Sequence, residues 1–369
     1  MLSRTHHENV AKPFLKWAGG KRQLLPEIQA RLPADIDQCT TYVEPFVGAG
    51  AVLFHLLENY QFENVHIADI NPEIILCYRV LQSSSQEVFR ELQVLIDAYP
   101  VKEKNDTQDP QWFRNMSIEF IENGGKVSKI IDSLKISKST YYSWKGRNDG
   151  PPCKKKKNKA INFFLKERRR PIFNSLREKW NQSISNLVRL SKAEKISRVA
   201  QTIFLNKTCY NGLYRVNDDG EFNVPIGSYI NPSFPTEEQL IDVQASLQDV
   251  KIHHCSFEKC MDWVDGKSFI YFDPPYRPLS ETSNFTSYTE GDFDDDDQRK
   301  LSNLFRELDS LSVLLLLSNS DPKETDPSDD FFDDLYSDYT IDRVRSARNI
   351  SSKGKKRQKI SEIMVRNYE

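Results

Sequence analysis

Residues 42–69 constrain the fold more than any other part of the chain. Tyr42-Val43-Glu44-Pro45-Phe46 reads as a strand, Val47-Gly48-Ala49-Gly50 as a turn, and 51–60 as an amphipathic helix with Val52, Leu53, Leu56 and Leu57 on its apolar side. Val65-His66-Ile67-Ala68-Asp69 is a second strand that closes on an acid, 19 residues beyond Gly50. This is the βαβ geometry of a nucleoside-binding half. Its glycines let backbone and helix N-terminus approach a charged group, and an acid after the second strand can grip ribose hydroxyls. Only two glycines occur in the turn, with no pyrophosphate cradle, so a smaller adenosyl cofactor fits it better than a dinucleotide.

A second stretch carries the chemistry. Residues 267–276, Lys-Ser-Phe-Ile-Tyr-Phe-Asp-Pro-Pro-Tyr, form an apolar strand-like run that ends in Asp273-Pro274-Pro275-Tyr276. Two prolines stop any ladder or helix there, leaving the carboxylate and the ring at the strand's open end. That set suits methylation of an amino group on an aromatic base, a poor nucleophile because its lone pair is shared with the ring. The Asp273 carboxylate and the Pro274 carbonyl could accept both amino hydrogens and draw the nitrogen toward tetrahedral geometry. Tyr276 offers a flat face on which a base swung out of a duplex can stack. An ordinary Asp-Pro-Pro turn at a strand end is the plainer alternative.

With 369 residues the chain is long enough for one large or two modest domains. Apolar content of 38% and charged content of 28% describe a soluble globular protein, and no run reaches the length of a membrane span. The start lacks a signal-peptide core, which places the protein in a cytoplasm-like compartment. The six cysteines are scattered without a CxxC pair, so neither a disulfide framework nor a zinc site is indicated, and His253-His254-Cys255 with Cys260 fits no zinc spacing. Pro152-Cys153 has the form of a cytosine-C5 nucleophile but sits in a lysine-rich loop. Net charge is only −2, yet it is polarised: 151–215 holds 17 Lys/Arg against 3 Asp/Glu, 290–340 holds 4 against 16, and 341–369 holds 9 against 3. Basic segments of this kind suit phosphates, and the acidic one would face away from them.

Along the chain, Pro13-Phe14-Leu15-Lys16-Trp17-Ala18-Gly19-Gly20-Lys21-Arg22 leads into a helical pattern, and its aromatic, Gly-Gly turn and lysine can hold an anionic or flat ligand. Helices are expected at 72–82, 86–98 and 111–123. Residues 125–146 have the outline of a helix-turn-helix whose second helix, 137–145, would enter a major groove. Residues 148–159 read as a flexible basic linker, 160–204 as helical and basic, and 205–229 as a β-hairpin turning at 217–220. A hairpin carrying Tyr210, Asn211 and Arg215 can enter a groove, because arginine pairs bidentately with guanine and an aromatic can wedge into the stack. A helix over 297–308, a buried strand over 313–318 and a basic tail after 342 complete the chain; the tail's 351–357 stretch is disordered-looking and suited to phosphates, or equally a solvated loop.

The 14–21 run, the 44–50 turn, Ala68-Asp69-Ile70-Asn71, Tyr210-Asn211-Gly212-Leu213-Tyr214-Arg215 with Phe222-Asn223-Val224-Pro225, and Asp273 to Tyr276 together resemble the Dam-type adenine-N6 DNA methyltransferases, the D12 class of the alpha group. The resemblance covers roughly 12–100 and 160–365. It implies a Rossmann-like α/β methyltransferase fold with a helical and β-hairpin DNA-recognition domain, S-adenosyl-L-methionine as cofactor and double-stranded DNA as partner. It implies that Trp17 and Lys21 line the cofactor, that Phe46, Gly48 and Gly50 hold its methionine end, that Asp69 takes the ribose, and that Asp273 borders cofactor and target. Catalysis would rest on Asp273, Pro274 and Tyr276, with no metal. In the hairpin Tyr210 would be the wedge, Asn211 would fill the space left by the base, Arg215 would read guanine, and Leu213 and Pro225 would touch neighbouring bases, in the manner of GATC readers. Relatives often carry an arginine where Ser228 stands here, and the segment near 104–160 looks like an insertion in the recognition lobe.

The domain expectation is a catalytic domain split into 1–100 and 236–369 around a recognition domain at 101–235. The enzyme would act as a monomer, with a cognate restriction endonuclease as an open partner. Cytosine N4 as target, or a catalytically silent DNA-binding protein, are the competing readings; the hairpin favours adenine, and an intact cofactor turn disfavours a pure binder.

Overall fold

The structure, a computed structural model, describes residues 11–17, 20–100, 111–146, 150–151, 153–277, 293–347 and 359–369. The seven strands are β1 (Thr41–Glu44), β2 (Asn64–Asp69), β3 (Val250–His254), β4 (Ser268–Phe272), β5 (Leu314–Ser320), β6 (Thr340–Ala347) and β7 (Lys359–Arg366). The helices are α1 (Leu25–Gln29), α2 (Ala51–Asn59), α3 (Pro72–Asp97), α4 (Trp112–Glu122), α5 (Val127–Leu134), α6 (Lys138–Gly146), α7 (Lys154–Gln182), α8 (Lys192–Thr208), α9 (Glu237–Ser246), α10 (Asp295–Ser310) and α11 (Phe331–Leu335). Among the described residues, no helix is long and apolar enough to cross a membrane.

The chain divides into two compact units, one formed by 1–88 with 236–369 and the other by 89–235. The first holds a single sheet in the order β3-β2-β1-β4-β5-β7-β6. β1 to β5 pair in parallel, and β7 runs antiparallel between β5 and β6. Every residue of β4 is buried, as expected for a central strand covered on both faces. Alternate residues of the sheet, Val43, Ile270, Phe272, Leu315, Leu317 and Ile363, pack on Leu301, Phe305 and Leu308 of α10. The chain reverses its direction of travel across the sheet between β1 and β4, and ligands of open α/β sheets bind beyond the strand ends at such a switch point.

Two expectations need correcting. Residues from Lys154 onward are not linker but the opening turns of α7, because lysine is a good helix former and Ala160, Ile161, Phe164 and Leu165 give that segment a buried face. The chain after 342 is not a tail throughout: 340–347 and 359–366 pair with each other, and Val344, Ile363 and Val365 are buried. The lysine-rich stretch 351–357 lies outside the described residues.

The second unit is helical. Trp112, Phe113, Ile130, Leu134, Tyr141, Trp144 and Phe164 build its aromatic core from α4, α5, α6 and α7. The pair expected at 125–146 is present as α5 and α6, joined through Lys135 in the left-handed conformation, at φ 55°. The hairpin is shorter than read from sequence. Residues 205–208 are the last turn of α8, and antiparallel pairing runs from Cys209↔Ile226 to Val216↔Phe222 around a turn closed by the Gly220 N–H to Asn217 carbonyl bond of 2.8 Å.

Candidate active site

The turn after β1 is built around two backbone positions that a side chain would spoil. Gly48 has φ +46° and a Cβ there would come 3.0 Å from Cδ1 of Trp17; Gly50 has φ +73° and its Cβ would come 2.4 Å from the Tyr78 hydroxyl. Tyr78 donates to the Gly48 carbonyl at 3.1 Å, and the Val47 N–H donates to Ala68 at the end of β2 at 3.0 Å. Asp69, the last residue of β2, accepts from the Gly48 N–H at 3.0 Å and the Asn71 N–H at 2.9 Å. Burial pushes its carboxyl up to about 6, against the pull of those N–H donors. α2 follows Gly50 without a side-chain cap hydrogen bond, so its first N–H groups suit an anionic group. Phe46 stacks on Phe257 at 5.3 Å and meets Phe293 edge-on at 5.8 Å.

At the end of β4, next to β1, stands Asp273. Buried Lys21 reaches it at 2.6 Å and lies 4.3 Å above the Tyr276 ring, so one ammonium ties the 20–23 segment to the first and last side chains of Asp-Pro-Pro-Tyr. Tyr271 shares a 2.8 Å hydrogen bond with Ser318, which in turn donates to Asp273 at 3.4 Å. The Tyr276 hydroxyl donates to Glu362 of β7; burial and the neighbouring Asp273 push the phenol well above its ordinary range. The segment's backbone is clamped too. Gln298 donates to the Pro275 carbonyl at 3.1 Å, and Ser320 to the Arg277 carbonyl at 2.8 Å. The Arg277 guanidinium pairs with Asp295 at 2.8 Å and Asp329 at 2.6 Å, and lies over Phe331.

The structure therefore brings Trp17, Lys21, Phe46, Gly48, Gly50, Asp69, Asp273, Pro274 and Tyr276 to the carboxyl ends of three adjacent strands. Tyr210, Asn211, Leu213, Arg215 and Pro225 belong to the other unit. There Tyr210, Asn211 and Pro225 are exposed, while Tyr214, Phe222 and Val224 are buried beneath them. Asn211 adopts φ 57°, and Arg215 donates from Nε to Asn223 at 2.7 Å. Cys153 is exposed at the N-cap of α7 and belongs to that unit.

Three groups went unassigned in the sequence. Glu44 is buried and accepts from Tyr42 at 2.6 Å; burial holds its carboxyl well above the usual range. Glu362 and Arg277 complete the set. Glu44 opens the 44–50 motif and Arg277 directly follows Tyr276, which is a usable signal, whereas nothing in the sequence ties Glu362 to Tyr276.

The donor set fits an adenosyl sulfonium ligand: a glycine turn that a Cβ would fill, a helix N-terminus without a cap, a carboxylate at the next strand end and an aromatic face. Comparison with known proteins agrees. The family described as D12 class N6 adenine-specific DNA methyltransferase matches residues 17–350. The chain is 39% identical over 360 residues to the type II methyltransferase M.MjaIII of Methanocaldococcus jannaschii, covering 97% of this chain and 99% of that one. It is 28% identical to a DNA adenine methylase of Haemophilus influenzae, covering 96% and 93% of the two chains, and 29% identical to that of Escherichia coli K12, covering 96% and 94%.

Proposed function

Since the chain belongs to the D12 class of N6 adenine-specific DNA methyltransferases, and so transfers methyl groups from S-adenosyl-L-methionine to adenine N6 in DNA, we propose which residues perform the transfer and on what site. The reaction is that of a site-specific DNA-methyltransferase (adenine-specific), EC 2.1.1.72. The convergence of the Gly48 turn, Asp69, Lys21 and Asp273 at adjoining strand ends carries this reading.

When bound, the donor supplies an electrophilic methyl group. Gly48, Gly50 and the first turn of α2 take its methionine end, Asp69 accepts from the ribose, and Trp17 and Phe46 wall the pocket. Asp273 and the Pro274 carbonyl accept the two amino hydrogens of the target adenine, which stacks on Tyr276. Lys21 orients Asp273, and Glu362 fixes the Tyr276 ring. Positioning and electrostatics supply the rate, and no covalent intermediate forms.

In the hairpin, Tyr210 wedges into the stack, Asn211 occupies the vacated space, Arg215 reads guanine, and Leu213 and Pro225 touch neighbouring bases. The motif Tyr210 to Arg215 with 222–225 supports GATC, in duplex DNA, as the site. The type II name of the Methanocaldococcus relative supports a cognate restriction endonuclease as partner, and the enzyme works as a monomer in the cytoplasm. One assay tests the assignment. Labelled S-adenosylmethionine and duplexes with and without GATC are incubated with the wild type and Asp273→Asn, then digested to nucleosides. Label on N6-methyladenine from the GATC duplex alone, with the variant reduced at least about 10²-fold, is expected. Undiminished transfer by Asp273→Asn removes the mechanism, and equal labelling of both duplexes removes GATC.

A further inference from the structure

The 89–235 unit carries a second polar, cationic face that the reaction leaves unused. α6 buries Tyr141 and Trp144 in the core, so its opposite side, Lys138, Ser139, Tyr142 and Ser143, is exposed, with Tyr142 51% accessible. The helix is started by Ser137, whose hydroxyl accepts from the Thr140 N–H at 3.0 Å, and the short turn from α5 is fixed by Lys135 in the left-handed region. Two short helices joined this way, the second with hydroxyl, phenol and ammonium groups outward, have the form of a groove-reading pair.

Beside it lies an arrangement that helix physics disfavours. α7 begins with Lys154, Lys155, Lys156 and Lys157, and its first turn contains no acid and no side-chain cap. Like charges crowd the positive end of the helix, where each cation is unfavourable. That start adjoins the helical pair: Lys156 lies 5.7 Å from the Trp144 ring centre, and Lys159 donates to the Leu134 carbonyl at 2.5 Å. Residues 126–159 hold eleven Lys/Arg against two Asp/Glu, in a chain whose overall charge is −2. A polyanion relieves such crowding, and the polyanion on which this family acts is DNA.

We propose that α6 and the lysine-led start of α7 form a second duplex-docking surface, which binds DNA flanking the methylated site. The spacing follows from α7, which runs between the two elements with Pro171 in its interior. Lys156 at one end touches α6, and Asn181 near the other bonds the hairpin through the Phe222 N–H at 2.9 Å. At about 1.5 Å per residue, positions 156 and 181 are at most roughly 37 Å apart, a span that a bend at Pro171 shortens toward the ~34 Å of one turn of B-DNA. The flank contact therefore falls about one helical turn from the target, on one side of it. The inference rests on the hairpin being the element at the target.

Fluorescence anisotropy tests it with two duplexes carrying a single GATC, one of about 12 bp and one of about 36 bp, little more than one turn and about three turns. Lys154, Lys155 and Lys157→Gln, and separately Lys138→Ala with Ser139→Ala and Tyr142→Ala, are compared with the wild type after melting curves show an unchanged fold. Both variants are expected to lose about tenfold or more in affinity for the long duplex while binding the short one within about twofold of wild type. The log K against log salt slope on the long duplex falls by about 0.9 for each lysine that had touched phosphate. Unchanged binding of the long duplex, or equal losses on both lengths, overturns the proposal. Label transfer to the short duplex judges the GATC assignment separately, since the flank measurement needs no methylation.

Discussion

Among single residues, Asp69 makes the sharpest prediction. Its ordinary value is 3.8 and the folded protein raises it to about 6. Between those values the folded state without ligand holds the extra proton, so this group's contribution to stability falls as pH rises through that window. Ligand binding has the opposite sign, because a ribose hydroxyl donates best to the ionised carboxylate. Affinity for S-adenosylmethionine, measured by titration calorimetry, should weaken below pH 6 by up to about tenfold per pH unit, and Asp69→Asn should abolish that step. A flat profile in the wild type refutes Asp69 as the ribose acceptor. Arg215 is tested at the same scale: Arg215→Ala should cost about 1–3 kcal/mol in discrimination at one base pair, read from kcat/KM on duplexes altered singly at each position. Equal losses on every duplex would make Arg215 a phosphate contact instead. Asp69 and Asp273 were legible because each ends an apolar run, where a lone acid stands out. Glu362 was not, because its role exists only through the pairing of β7 with β5.

At the scale of elements, the turn between β1 and α2 admits only backbone. Gly50→Ala places a Cβ against the Tyr78 hydroxyl at a positive φ, which should cost at least about 1 kcal/mol of stability and weaken donor binding more than DNA binding. Melting curves with and without S-adenosylmethionine separate the two effects, and an alanine variant that binds the donor normally would show that the turn tolerates a side chain. The parallel strands β1, β2 and β4 were readable as short apolar runs bounded by turn residues. β6 was hidden because its large apolar residues, Ile341 and Val344, stand three apart on opposite faces among Asp342, Arg343 and Arg345, so no period-two pattern shows. The opening of α7 was hidden for a similar reason, since Gly150-Pro151-Pro152 and four lysines outweigh a buried face that begins at Ala160.

For the molecule as a whole, the continuous 89–235 unit interrupts the sheet-bearing one. S-adenosylmethionine at a hundred times its Kd adds about 2.7 kcal/mol to whatever it binds. Hydrogen exchange should therefore slow in β1, β2, β4 and the 46–50 turn, and stay unchanged in α4, α5 and α6. Equal protection of both units would mean that they open together, contrary to separate recognition and catalytic domains.

The pairing of Thr41 with Ser268 also sets a schedule for the growing polypeptide. β1 leaves the ribosome long before β4, and the helical unit between them can fold meanwhile, as domains tend to do in order of synthesis. An interrupted translation product would thus hold the helical unit beside an unfinished sheet, with no means of marking DNA. Only arrival of the last strands gives the nascent chain its chemistry.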